Sequence, residues 1–266
     1  MKYLKQIIFL LLISLFFGCD DSKNEYRKDL ASVIDSTGYE GCFVMLSTKT
    51  GITTYVNQQR CVQQFSPAST FKIPHSLIAL ETRKVSSIHD TIRYNGIEKP
   101  IESWNRDHDL QSAFKNSVVW YYQDIAVRIG DTLMKQWLEK MEDYGTMVRA
   151  GRINDFWLDG SLVISAEQQV KFLEKLYKKT LPFSKTTMDT VKQFMLFEET
   201  PNYKLYGKTG ASDKPNLGWF VGWVEKNDEA FIFATNISST DTLNISFLGS
   251  RVTLTKKLLN KLRVIN

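Results

Sequence analysis

Histidine is scarce in this chain, with 3 in 266 residues. His75, His89 and His108 stand far apart, and none sits in a metal-ligand pattern. Each reads as a surface or packed side chain, so no metal is expected. A long basic run is also missing. The net charge is +5, from 34 Lys and Arg against 29 Asp and Glu, with lysines in both termini. That balance does not indicate nucleic acid as a partner. There is no internal repeat and no low-complexity segment. What is present in quantity is apolar: a hydrophobic fraction of 43% is ordinary for a globular protein with a real core. The length allows one large domain or two small ones.

The apolar run from Ile7 to Phe17 is short for a membrane span, and polar sequence follows at once. Lys2 and Lys5 precede it; Gly18 and Cys19 follow. That is the order of a secretory signal. The expected organisation is a signal peptide over residues 1–18, a polar tether over 19–27 and one domain over 28–266, exported to the periplasm. Cys19 resembles the lipidated cysteine of bacterial lipoproteins, although Phe16 and Phe17 stand where smaller residues are usual. The resemblance implies membrane attachment at Cys19. Export puts Cys42 and Cys61 in an oxidising compartment. They read as lying on two strands of one hairpin that turns near Lys49-Thr50-Gly51. A disulfide and two buried free thiols are both open.

A first helix is expected around Leu30, Val33 and Ile34, then strands at Cys42–Ser47 and Thr53–Asn57. Residues 85–106 are mixed and turn-rich. Leu110 to Tyr144 reads as helical, broken at Asn116-Ser117 and at Gly130-Asp131. Gly145 to Gly160 reads as an ordered loop, with helices after it at 166–178 and 184–196. Lys204–Thr209, Gly218–Val224 and Glu229–Asn236 alternate like strands. The last helix is expected over 251–262. Strands at both ends and helices between them predict an α+β fold, with one antiparallel sheet built from both chain ends, flanking helices and a central helical subdomain.

The stretch Phe65-Ser66-Pro67-Ala68-Ser69-Thr70-Phe71-Lys72 reads as a loop entering an apolar helix. Ser69 and Lys72 are three residues apart, on one helix face. A serine hydroxyl needs a base to become a nucleophile. A lysine serves only if burial or modification removes its charge. Alone, such spacing is common on exposed helices. Ser117-Val118-Val119 lies at a helix break; its serine reads as a proton shuttle or as an ordinary N-cap. Lys208-Thr209-Gly210 reads as the end of a strand able to bind a carboxylate, with the Ala211 N–H beyond it facing an oxyanion, or simply as a strand entering a turn. Phe156-Trp157-Leu158-Asp159-Gly160 offers an apolar wall and one N–H, or plain packing.

Ser-x-x-Lys, Ser-x-Val and Lys-Thr-Gly in that order are far rarer together than singly. With Trp104, the segment 111–123, Phe156–Gly160 and Gly218-Trp219-Phe220-Val221-Gly222-Trp223, they make the chain resemble the class D β-lactamases, the oxacillinase family, from about residue 41 to 251. The resemblance implies that Ser69 opens a small-molecule β-lactam and becomes acylated. It implies that Lys72 is the base, bearing a carboxyl group (N6-carboxylysine) taken from carbon dioxide or bicarbonate, with no other cofactor. Trp157 would donate to that group; Val119 and Leu158 would keep the pocket apolar; Ser117 would relay a proton. Lys208, Thr209 and Arg251 would hold the substrate carboxylate, beside Gly210, and the N–H groups of Ser69 and Ala211 would form the oxyanion hole. Arg251 is expected at the start of the last helix. Thr146 departs from the family's Tyr-Gly-Asn, which predicts altered loop ordering without loss of chemistry. The short connection from Ala211 to Leu217, with Lys214, borders the site. The alternative is a β-lactam sensor or penicillin-binding domain that acylates without turnover. Val119, where such sensors tend to be polar, argues against it. A cell-wall transpeptidase is a third reading and a non-enzymatic scaffold a fourth.

Overall fold

The computed structural model describes residues 23–142, 144–147, 149–213, 216–240 and 245–266. The N-terminal part supplies β1 (Asn24–Tyr26), α1 (Ala31–Asp35), β2 (Glu40–Ser47), β3 (Thr53–Val56), α2 (Gln58–Cys61) and β4 (Gln64–Phe65). The middle supplies α3 (Lys72–Glu81), α4 (Leu110–Lys115), α5 (Val119–Ile129), α6 (Asp131–Lys140), β5 (Thr146–Met147), β6 (Leu162–Ser165), α7 (Ala166–Tyr177) and α8 (Lys185–Met195). The C-terminal part supplies β7 (Leu196–Glu199), β8 (Lys204–Asp213), β9 (Asn216–Lys226), β10 (Glu229–Ser239) and α9 (Ile245–Lys261).

The main sheet has seven strands in the order β1-β3-β2-β10-β9-β8-β7. Strands from the two chain ends meet where β2 pairs with β10, with Val44 opposite Ala234. The α+β sheet read from the sequence is therefore the one observed. Its pairs are antiparallel except for β1, which runs parallel to β3. Both faces of this sheet are covered, so β9 is buried continuously instead of alternating with polar residues. Its pleat divides the protein into two cores. Trp219, Val221 and Trp223 face the helical side with Phe71, Tyr122 and Leu173. Phe220 and Val224 face the other side with Leu254 and Leu258 of α9 and Ile34 of α1.

Three of the middle helices, α4, α7 and α8, begin where side chains satisfy free backbone N–H groups. Asp109 accepts from Ser112 N and Ser165 accepts from Gln168 N, each in a reciprocal capping box. Ser184 caps α8 by accepting from Thr187 N.

Several elements differ from expectation. Of residues 19–27, expected as a tether, Asn24–Tyr26 form β1, because Arg27 N donates to Tyr55 O and the Tyr26 ring stacks on Tyr55. The short strands β4, β5 and β6 make a second sheet inside the segment read as loop and helix approach. Leu196 was expected to end α8 but starts β7, since pairing with Tyr206 competes with a further helical turn. Cys61 lies on α2, one turn past the end of β3. Cys42 and Cys61 are both buried free thiols, and Cys61 Sγ donates to Phe43 O at 3.4 Å. The last helix starts before residue 251, because Phe247 is buried against Tyr39 and the second core. Residues 1–22, with the expected signal peptide and Cys19, and Lys214 lie outside the described residues.

Candidate active site

Ser69 lies on a 3-10 turn, Ala68–Phe71, and Lys72 is the first residue of α3. The turn is set up by Ala68, whose backbone is left-handed at φ 48°. The tighter 3-10 winding eclipses side chains three apart. Lys72 Nζ accordingly donates to Ser69 Oγ at 3.0 Å. Ser69 is nearly buried and Lys72 fully so. Burial alone, with no carboxylate beside it among the described residues, lowers the Lys72 amine to a pKa of about 7. Its Nζ lies over the Tyr122 ring, 5.0 Å from the centroid.

The loop carrying Trp157 is pinned onto this turn. The Trp157 carbonyl accepts from Ser66 Oγ at 2.8 Å and from Ala68 N at 3.0 Å. Trp219 Nε1 donates to Ser66 O from the sheet side. Trp157 itself is fully buried, stacked on Phe71 at 5.7 Å, with an indole N–H that has no partner among the described residues. Leu158 is half-buried against the same core. Thr146 Oγ1 accepts from Gln64 Nε2, and Thr146 pairs with Val163, so this position joins β4, β5 and β6.

Ser117 sits between α4 and α5 with a left-handed backbone at φ 53°. It is not the N-cap of α5: that position is Val118, and the Ser117 hydroxyl accepts instead from Lys208 Nζ. The corner is held by an indole relay, Trp120 Nε1 to Trp104 O and Trp104 Nε1 to Asn116 O. Val119, half-buried, opens α5 one turn before Tyr122 and shares its helix face.

Lys208, Thr209, Gly210 and Ala211 lie within β8 and not at its end, because β8 stays in register with β9 as far as Asp213 opposite Asn216. β7 pairs only with residues 204–206, which leaves the far half of β8 as an open edge toward Ser69. Gly210 permits that approach. A side chain there would meet Pro67 O at 3.0 Å and Thr70 N at 3.2 Å, so the glycine admits the nucleophile turn as much as a ligand. Lys208 is buried over the Phe114 ring, and burial, Lys72 and Arg251 push its amine well below the ordinary lysine range. Thr209 falls on the opposite pleat, facing Phe220. Arg251 is in the second turn of α9, not at the helix start, and its Nη1 donates to Gly210 O at 2.9 Å. Burial lowers its guanidinium to about 10.

The structure thus brings Ser69, Lys72, Ser117, Trp157, Lys208, Gly210 and Arg251 into one largely buried cluster between β8 and the helices. The sequence reading missed Tyr122 and His75 beside Lys72, and Phe114 beneath Lys208. Their only sequence signal is helical spacing: His75 is three residues after Lys72, and Tyr122 three after Val119.

The chain matches the penicillin-binding protein transpeptidase domain family over residues 41–259. It is 42% identical over 204 residues to the probable β-lactamase YbxI of Bacillus subtilis, covering 76% of each chain. It is 43% identical over 211 residues to β-lactamase OXA-48 of Klebsiella pneumoniae, covering 79% of this chain and 78% of that protein. Among solved structures, a class D β-lactamase from Sebaldella termitidis superposes with a TM-score of 0.87 at 33% identity, covering 92% of this chain and all (100%) of that one. The class D β-lactamase YbXI from Nostoc superposes with a TM-score of 0.82 at 38% identity, covering 88% and 98%.

Proposed function

The chain belongs to the class D β-lactamases, and from that premise we propose that it hydrolyses β-lactams through an acyl-enzyme on Ser69. The observation that carries the proposal is the buried Lys72 amine, 3.0 Å from Ser69 Oγ and without an acidic partner among the described residues. With a pKa of about 7, much of that amine is uncharged at neutral pH. An uncharged amine adds to carbon dioxide: an N–C bond forms, one C–O π bond opens, and the amine's proton leaves to solvent. The carboxyl group so formed supplies an anionic base where a cation stood. The fit rests on the unpartnered Trp157 N–H, a donor for the buried anion, while apolar Leu158 and Val119 favour the uncharged amine that reacts.

The chain's own residues then divide the work. The Ser69 hydroxyl loses its proton to the base and its oxygen attacks the lactam carbonyl carbon. The C–N bond breaks, and Ser117 relays the proton that left Ser69 to the nitrogen, giving its own as it takes that one up. The N–H groups of Ser69 and Ala211 stabilise the oxyanion across the cleft. Lys208 and Arg251 provide cationic partners for the substrate carboxylate, while Thr209 lies on the other face of β8. Water attacks the Ser69 ester from the Lys72 side, losing a proton to the base; the acyl C–Oγ bond breaks, that proton returns to Ser69 Oγ, and the product leaves. Export and lipid attachment at Cys19 belong to the same proposal, and mass spectrometry of the mature N-terminus tests them.

The test is turnover of a chromogenic β-lactam by the purified protein, with and without bicarbonate. Sustained turnover that rises with bicarbonate and vanishes in Ser69→Ala is the expected result. One equivalent of product followed by silence, with or without bicarbonate, overturns hydrolysis in favour of a covalent acceptor.

A further inference from the structure

His75 is fully buried on α3, three residues after Lys72. Its ring centroid lies 5.2 Å from that of Trp157, edge to face, 5.2 Å from Tyr122 and 5.4 Å from Phe71. Neither ring nitrogen has a hydrogen-bond partner among the described residues, and the Trp157 N–H in the same cluster has none either. Buried polar atoms left unpaired are costly. A ring needed only for packing between three aromatics is better served by phenylalanine. Burial and the neighbouring Lys72 push the imidazole down to about 3, so it is uncharged, with one N–H donor and one acceptor nitrogen. A cationic Lys72 has no use for a further donor. An anion on Lys72 needs several, because a buried charge is tolerated only when hydrogen-bonded.

We propose that His75 is a positioning residue for the carboxyl group on Lys72, offering it a neutral N–H donor beside that of Trp157. It acts on Lys72 and not on the substrate. The inference rests on the reading of Lys72 above. An uncharged donor suits the place, since an imidazolium there would sit unpaired against Lys72 whenever the carboxyl group is lost.

The experiment is 13C NMR of the purified protein titrated with 13C-bicarbonate, following the carbamate carbon directly, for wild type, His75→Phe, His75→Leu and His75→Asn. Phe keeps the ring packing, and Leu serves if Phe does not fold. Both lack a donor, whereas Asn restores one. The bicarbonate needed for half-maximal signal is expected to rise about tenfold in the Phe and Leu variants, the loss expected for one hydrogen bond to a charge. It should return toward wild type in Asn. Wild-type half-saturation in Phe or Leu overturns the proposal, as does an Asn variant as impaired as Leu. Absence of a carbamate signal in wild type overturns the Lys72 reading and this inference with it. A normal wild-type signal separates the two failures.

Discussion

At Gly210 the strand β8 and the turn carrying Ser69 nearly touch. A Cβ added there would lie 3.0 Å from Pro67 O, 3.1 Å from Thr70 Cγ2 and 3.2 Å from Thr70 N. Two of those atoms are backbone, which cannot rotate aside, so the turn itself must shift by a few tenths of an ångström. Thr70 is braced on its far side, where its hydroxyl donates to Pro67 O and accepts from Gln169 Nε2. The displacement is therefore passed to Ser69. Catalytic geometry is far more sensitive to such a shift than stability is, since misplacement by about 1 Å costs on the order of 100-fold in rate. Gly210→Ala is expected to slow labelling of Ser69 by a fluorescent penicillin at least about tenfold. The loss of folding free energy in denaturant should be about 1–2 kcal/mol, as for mild overpacking. Unchanged labelling with the same stability loss would show that the turn is not coupled to β8.

The element that sets Ser117 is the corner between α4 and α5. α4 is short, Leu110–Lys115, and depends on its N-terminal capping box. Asp109→Ala removes the acceptor for Ser112 N, 2.7 Å away, and should lower stability by about 1 kcal/mol, read as a lower denaturant midpoint with unchanged slope. A midpoint equal to that of wild type would mean that α4 is held by packing alone. Such local devices are what a sequence states openly. The breaks at Asn116-Ser117 and Gly130-Asp131 were legible because polar and glycine residues interrupt the apolar period where the helices stop. The Ser69–Lys72 spacing was legible for the same reason. Elements made by distant partners were not. β7 is a strand only because Tyr206 lies beside Leu196, and Asn24–Tyr26 only because Thr53–Tyr55 does. Lys208 and Gly210 looked like a strand end because a glycine usually marks one, whereas here it clears Pro67. His75 and Tyr122 carry no motif: His75 reaches Lys72 by helical spacing alone, and only the packing of α5 on α3 brings Tyr122 there.

At the scale of the whole molecule, the site concentrates basic groups that are buried without acidic partners among the described residues, and this has a consequence for stability. Lys72 has a pKa of about 7 in the folded protein against an ordinary value of 10.5, and Lys208 is also held well below that value. Between pH 7 and 10.5 the unfolded chain therefore binds more protons than the folded one. Stability must rise with pH across that window, by at most about 1.4 kcal/mol per pH unit for each group. Below pH 7 both states hold the Lys72 proton and the cost of burying the charge is present in full. His75, at about 3 when folded against 6.5, extends the same sign to acid: stability falls as pH drops from 6.5 toward 3. The check is urea unfolding at pH 7, 8 and 9 in buffer freed of carbon dioxide and bicarbonate, so that Lys72 remains a simple amine. Wild type is expected to gain stability over this range. Lys72→Met keeps the packing with an unbranched apolar chain. It should be more stable than wild type at pH 7, by up to about 4 kcal/mol from a shift of this size, and should show a shallower rise with pH. It should also be inactive toward β-lactams. A Lys72→Met protein whose stability rises with pH as steeply as wild type would mean that the Lys72 amine is solvated in the folded state. The base at Ser69 would then have to come from elsewhere.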